Sequence, residues 1–98
     1  MSDPLKVFLG SLVAGQPPSS APALLRAVWH GLHGEWDQAH EIAQEDETAD
    51  GAWVHAWLHR IEGDAANAGY WYRRAGRPVA AGDTRREGET IAEAFLNR

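Results

Sequence analysis

The stretch that decides the fold is WVHAWLHRIEGDAANA, residues 53–68. Its first part alternates briefly like a strand, but its length and its alanine content favour a helix. Gly63 and Asp64 then end one helix and begin another, because glycine permits a chain reversal and aspartate caps a helix N-terminus. The stretch therefore predicts two helices joined by a tight turn.

The same arrangement occurs a second time, 29 positions earlier in the chain. With this shift, Gly34 aligns with Gly63 and Glu35 aligns with Asp64. Small residues, histidines and aliphatic residues also coincide, in the pairs Ala27 with Ala56, Ala39 with Ala68, His30 with His59, Leu25 with Val54, and Leu32 with Ile61. Because small residues let two helices approach closely, the pattern predicts a duplicated helix–turn–helix unit.

This pattern resembles the tetratricopeptide repeat over about residues 23–76. The phrase Gly34-Glu35-Trp36-Asp37-Gln38-Ala39 fits the turn and second helix of that family, and residues 63–68 fit it except for the aromatic. The resemblance implies two antiparallel helix pairs, at about residues 23–45 and 52–75, and a role in binding proteins. The chain departs from the family in having a period shorter than the usual ~34 residues, only two units, and Asp46 where a small residue is expected.

A second resemblance rests on residues 59–72. This segment is similar to one in a bacterial protein family without an assigned activity, and the matching positions are His59, Arg60, Glu62, Gly63, Asp64, Asn67, Ala68, Tyr70, Trp71 and Tyr72. The resemblance therefore implies a fold and no reaction.

Local signals outside the repeat predict two flanking helices. Asp3 and Pro4 are a good helix start, so we expect a first helix over residues 4–14. The acidic residues 45–51 and the segment 79–86 are expected to be loops, with a last helix over about 87–97. We therefore predict an all-α protein with one domain, residues 1–98, in which two tetratricopeptide-like helix–turn–helix repeats lie between an N-terminal and a C-terminal capping helix.

Composition excludes several classes of protein. The chain has 98 residues and no cysteine, which excludes a disulfide scaffold and a thiolate metal site. No segment has the ~20 apolar residues that span a bilayer, so we expect no membrane association. The absence of cysteine fits a reducing compartment, so we expect a cytoplasmic protein. The net charge of −5 makes nucleic acid an unlikely partner.

Charge is unevenly distributed along the chain. Residues 35–50 contain seven acids and no Lys or Arg, whereas residues 73–86 contain five arginines and one acid. The two segments can be ordinary solvated faces. Alternatively, the acidic segment meets the basic segment of a partner protein or of a second copy, which would give a homodimer.

An aromatic and arginine-rich segment is the first candidate for function. Tyr70, Trp71 and Tyr72 are consecutive and must point in different directions, so we expect Tyr70 to reach the surface beside Arg73 and Arg74. Exposed aromatic residues beside arginines are typical of recognition surfaces. The leading hypothesis is a non-catalytic interaction module that binds a protein segment or itself, and its candidate binding residues are His30, His55, His59, Asn67, Tyr70, Arg73 and Arg74.

The histidines support a second hypothesis. His55, His59 and Glu62 share one face of the expected helix, and two imidazoles with a carboxylate can hold a zinc or other divalent ion. The same spacing also occurs where histidines only pack or bond to the backbone. The alternative function is a small metal-dependent or ligand-binding protein or enzyme that uses these side chains together with His30. No Ser-His-Asp, Lys-Ser or dinucleotide-binding pattern occurs, so no catalytic residue is assigned.

Overall fold

The computed structural model describes residues 3–98, and within them the protein is entirely helical. Six helices follow one another, namely α1 Pro4–Ala14, α2 Ala23–Leu32, α3 Trp36–Gln44, α4 Ala49–Glu62, α5 Ala65–Ala75 and α6 Thr84–Leu96. The expected all-α fold is confirmed. None of the helices in this part of the chain has both the length and the apolar character needed to cross a bilayer.

The turn between α2 and α3 and the turn between α4 and α5 have the same geometry. Gly34 and Gly63 adopt left-handed φ values of +83° and +87°. The backbone N–H that follows each glycine donates to a carbonyl five residues earlier, from Glu35 to His30 at 2.8 Å and from Asp64 to His59 at 2.9 Å. Both pairs of helices therefore reverse through one kind of glycine-terminated turn.

Small residues let the helices of each hairpin pack closely. Ala27 of α2, Ala39 of α3, Ala56 of α4 and Ala68 of α5 are all buried. The central element is α4, which packs against α2, α3, α5 and α6. Its residues from Gly51 to His59 are buried without interruption, so this helix forms the middle of the core.

Two helices begin earlier than expected from the sequence. Residues 49–51 lie in α4 and not in a loop, because the Thr48 hydroxyl caps the helix by accepting from the N–H of Gly51. In the same way α6 begins at Thr84 and not near residue 87, because the Asp83 carboxylate accepts from the N–H of Arg86. Side-chain caps therefore shorten both connections.

The two flanking helices pack against each other as well as against the hairpins. Helix α6 contacts α1, α2 and α4. Two buried indoles connect these layers: Trp29 donates to the Ser11 hydroxyl at 2.9 Å, and Trp57 donates to the Thr84 carbonyl at 2.7 Å. Helices α1 and α6 thus close one side of the bundle together.

Candidate functional site

The fold separates the candidate residues into three places. His55 and His59 point from α4 into a buried cluster with His40 of α3. A second set lies along α5, whereas His30 lies on the first hairpin with different neighbours. The second set consists of Asn67, Tyr70, Arg73 and Arg74.

The histidine cluster brings three imidazoles into mutual contact. The Nε2 atoms of His40 and His55 are 3.0 Å apart, so one ring donates a hydrogen bond to the other. The ring centroids of His55 and His59 are 4.8 Å apart, and those of His40 and His59 are 5.4 Å apart. His55 and His59 are 5% and 7% exposed, and His40 is half-buried. The cluster is therefore nearly closed to solvent at two of its three rings.

Two tryptophans hold the cluster from opposite ends. The Trp36 ring stacks on His40 with centroids 4.6 Å apart, and its indole N–H donates to the Leu58 carbonyl at 2.6 Å. The Trp71 ring stacks on His55 at 3.9 Å and an interplanar angle of 12°. Because the imidazoles lie against large fixed rings, their orientations are defined by packing.

Glu62 contacts the cluster through one histidine. Its Oε2 atom lies 3.0 Å from Nδ1 of His59. The potential ligand atoms within 4.8 Å of one another form two groups, one of His40, His55 and His59 and one of His59, Glu62 and Asp64. The sequence hypothesis combined His55, His59 and Glu62. The geometry instead joins His40 to the two α4 histidines and places Glu62 beside His59 on the exposed side.

The surroundings of the cluster favour neutral imidazoles. Burial lowers the pKa of His55 to about 4, and the nearby His40 and His59 contribute in the same direction. Burial also lowers the pKa of His40, with a further contribution from His59. Both rings are therefore uncharged at neutral pH and each has one unprotonated nitrogen, which in one of the two rings accepts the hydrogen bond between them.

His30 does not join this cluster, although it aligns with His59 in the repeat. Its Nδ1 atom lies 2.8 Å from the Glu35 carboxylate, and Nδ1 of His33 lies 3.2 Å from the same oxygen. Hydrogen bonding to His30 is the main reason that the pKa of Glu35 is lowered. His30 also lines a groove of about 540 Å³ on α2 and α3, which neither His59 nor Asn67 lines.

The candidate residues on α5 form an ordered surface. Tyr70 is 44% exposed, as expected from the sequence. Arg74 donates to the Tyr70 hydroxyl at 3.1 Å, and its guanidinium carbon lies 5.3 Å from the Trp71 ring centroid. Arg73 is exposed on the same helix, and Asn67 is half-buried one turn before Trp71. The surface therefore combines an aromatic ring, a half-buried amide and two arginines.

The member of the histidine cluster that the sequence hypothesis left out is His40. Its local signal is the spacing from Trp36, one helical turn earlier, on which its ring stacks. Nothing near it in the sequence indicates contact with His55, because that contact depends on how α3 packs against α4.

Fold and site together define a small all-α protein with two helical hairpins and a buried histidine cluster. In comparisons with protein-family models, curated proteins and solved structures, the chain has no match.

Proposed function

We propose that the chain is a non-catalytic helical interaction module that associates with a second copy of itself through the outer face of α5. Its hairpins are proposed to be tetratricopeptide-like, as the sequence resemblance implies. The observation that supports this proposal best is the position of Tyr70, which is 44% exposed and accepts a hydrogen bond from Arg74. Helix α5 packs mainly against α4, and Tyr70 lies on its outer face.

The residue types on this face suit recognition. Tyrosine and arginine are enriched among the few residues that contribute most of the binding energy of an interface. Tyr70 and Arg74 already contact each other, and Arg74 also lies over Trp71. Because the side chains are ordered before binding, less conformational entropy is lost when a partner docks.

Charge indicates an acidic partner surface. Helix α5 contains no acid, and within residues 3–98 neither Arg73 nor Arg74 takes part in an ion pair. Guanidinium groups bind carboxylates through paired N–H donors, so two arginines without a carboxylate partner beside an exposed ring fit a carboxylate-bearing surface.

A second copy offers such a surface on its first hairpin. The groove on α2 and α3 has an apolar lining from Leu24 and Ile42, and Glu41, Glu45 and Asp46 also line it. Residues 35–50 carry no Lys or Arg that would compensate these acids. The groove of one copy can therefore receive the ring and the arginines of another. Since each copy has both surfaces, the contact can close into a symmetric dimer.

Sedimentation equilibrium of the purified chain at several salt concentrations tests this proposal. We expect a reversible dimer whose Kd rises with ionic strength, because salt screens the contact between arginines and carboxylates. Tyr70→Ala and Arg74→Ala should each raise the dimer Kd by about tenfold or more. Glu45→Arg, at the groove, should raise it as well.

Arg85→Ala provides the matched control. Arg85 is also exposed, but its Nε lies 3.3 Å from the Glu89 carboxylate on its own helix, so removing it should leave the dimer Kd unchanged. A chain that stays monomeric at every salt and protein concentration would contradict the proposal, as would a dimer that Tyr70→Ala and Arg74→Ala do not weaken.

A further inference from the structure

The buried imidazole cluster lies apart from the proposed contact surface and has the composition of a metal centre. Its three donors come from two neighbouring helices, His40 from α3 and His55 and His59 from successive turns of α4. One nitrogen from each of the three rings lies within 4.8 Å of the other two. Three imidazoles are the protein ligands of one well-known class of zinc site, in which a water fills the fourth position.

The spacing of the donors is close to that of ligands on one ion. Zinc–nitrogen bonds of 2.0–2.1 Å at tetrahedral angles place two donor nitrogens roughly 3.3 Å apart. The Nε2 atoms of His40 and His55 are separated by 3.0 Å. If the proton of this hydrogen bond moves from Nε2 to the Nδ1 atom of the same ring, small ring rotations are enough for both Nε2 atoms to bind a shared ion.

Glu62 prepares His59 to act as a ligand. Its carboxylate lies 3.0 Å from Nδ1 of His59 and accepts the proton on that nitrogen, so the lone pair remains on Nε2. Metal-bound histidines almost always donate their other N–H to a carboxylate, a carbonyl or water in this way. Glu62 is thus a positioning residue for His59 in this arrangement.

The tryptophans supply the rigid support that such a centre needs. Trp36 stacks on His40 and is itself held by a hydrogen bond to the Leu58 carbonyl at 2.6 Å, and Trp71 stacks on His55. Ligands that are held in place before binding lose little freedom when the ion enters. The ring that is half-buried, His40, gives the cluster its accessible side.

From this geometry we propose that His40, His55 and His59 bind one divalent transition-metal ion of the zinc class. A donor set of three imidazole nitrogens suits zinc, copper, nickel and cobalt, whereas magnesium and calcium require oxygen ligands. None of the three histidines belongs to the proposed contact surface on α5 or lines the groove, and the two sites meet only at Trp71, which contacts both His55 and Arg74.

Titration of the metal-free chain with ZnCl₂, CoCl₂ and MgCl₂ tests the proposal. Isothermal calorimetry measures stoichiometry and affinity, and the visible absorption of the cobalt form reports its coordination. We expect one zinc or cobalt ion per chain, a four-coordinate cobalt spectrum, and no binding of magnesium. Zinc should also raise the melting temperature, because it binds the folded chain preferentially.

Three variants identify the ligands. His40→Ala should weaken zinc binding by more than the roughly 100-fold that the loss of an outer-shell partner can cost, because it removes a ligand. Since His40 is half-buried at the edge of the cluster, this variant should remain folded. Glu62→Gln should weaken binding by about tenfold to 100-fold and leave one ion per chain. His33→Ala, which removes an exposed ring outside the cluster, should leave the zinc affinity unchanged.

The second group of donors provides a decisive comparison. If the ion were held by His59, Glu62 and Asp64, then Asp64→Asn would abolish binding and His40→Ala would leave it unchanged. That result would overturn the proposal. So would the absence of zinc and cobalt binding by a chain that circular dichroism shows to be folded. The expected result is the reverse, with binding retained in Asp64→Asn, a substitution that keeps the side-chain cap of α5.

Discussion

The Nε2 atoms of His40 and His55 face each other at 3.0 Å and join α3 to α4 by a hydrogen bond between two imidazoles. Each ring is covered on one face by a tryptophan, Trp36 on His40 and Trp71 on His55. A polar contact of this kind inside a small core needs both partners, because a buried imidazole without one would lose its hydrogen bond to water and gain nothing. The contact between His40 and His55 therefore affects the packing of α3 on α4, the protonation of both rings and their capacity to bind an ion.

Acidification should destabilise the metal-free protein. Burial and the neighbouring His40 and His59 lower the pKa of His55 to about 4, from an ordinary value of 6.5. Between these two values the unfolded chain binds a proton that the folded chain excludes, so the free energy of unfolding decreases as the pH falls through this window. We expect a loss on the order of 2–3 kcal/mol between about pH 7 and pH 4.5, measured by urea unfolding in the presence of a chelator.

His55→Gln isolates this effect from other titrating groups. Carboxylates titrate alike in the variant and in the natural chain, so the difference between their two pH profiles reports His55. The variant should show a flatter dependence above about pH 5. If both proteins lose stability in parallel, the His55 ring takes up its proton as readily in the folded chain as in the unfolded one.

Overpacking around Trp57 should be costly. Trp57 is fully buried, and a Cβ atom added at Gly88 or Gly31 would lie 2.5 Å or 2.6 Å from its ring. The ring cannot move away easily, because its N–H donates to the Thr84 carbonyl at 2.7 Å. We expect Gly88→Ala and Gly31→Ala each to lower the free energy of unfolding by about 1–3 kcal/mol in thermal or urea unfolding.

Gly10→Ala is the control for these two substitutions. Gly10 is exposed in the middle of α1, and no atom lies within 4 Å of a Cβ added there. This change should stabilise the protein by roughly 0.5–1 kcal/mol, because alanine has the better helix propensity. If all three substitutions changed the free energy of unfolding equally, the space around Trp57 would be large enough for an added methyl group.

Glu87 should be important for stability, because this nearly buried side chain of α6 contacts residues of both α4 and α5. It accepts hydrogen bonds from Arg60 and from the Tyr72 hydroxyl, each at 2.5 Å. Burial, together with the hydrogen bond to Glu87, raises the pKa of Tyr72. Glu87→Ala removes the carboxylate partner of Arg60, which keeps its hydrogen bond to the Gly82 carbonyl, so we expect a loss of about 1–3 kcal/mol in urea unfolding.

Glu89→Ala is the matched comparison on the same helix. Glu89 pairs with the exposed Arg85 at 3.3 Å, and such surface pairs contribute about 0–1 kcal/mol. A Glu87→Ala variant that is as stable as Glu89→Ala would contradict the role given to the Arg60–Glu87–Tyr72 contacts.

The two hairpin turns should respond alike to substitution. Gly34 and Gly63 have nearly the same left-handed conformation and meet no atom within 4 Å of an added Cβ, so the cost of a side chain there is purely conformational. Gly34→Ala and Gly63→Ala should each cost roughly 1–2 kcal/mol, and asparagine should cost less than alanine at both positions. A large cost at one turn and none at the other would contradict their equivalence.

Much of the fold could be predicted from the sequence because its signals are local. The glycines at the two turns and the small residues at positions 27, 39, 56 and 68 act within a single hairpin and behave as expected. Asp64 caps α5 as expected, whereas the Glu35 side chain pairs with His30 and makes no cap hydrogen bond. The predicted starts of α4 and α6 were wrong because the N-cap residue of each helix lies in a segment whose composition is typical of a loop. Thr48 and Asp83 are ordinary N-cap residues, but the acidic and glycine-containing segments around them resemble loops.

The candidate site was less predictable because it depends on packing between hairpins. Helical spacing placed His55 and His59 on one face correctly, since that relation lies within α4. The third imidazole comes from α3, 15 residues before His55, and only the packing of α3 on α4 brings it there. The same holds for the contact between α1 and α6, for which no local pattern exists.

X-ray absorption spectroscopy of the zinc-loaded chain measures the coordination shell itself. The geometry of the cluster predicts three imidazole nitrogens and one water oxygen at about 2.0 Å, and a loss of one imidazole in His40→Ala. A shell dominated by carboxylate oxygens, or one with a single imidazole that is unchanged in His40→Ala, would contradict the assignment of His40, His55 and His59 as the ligands.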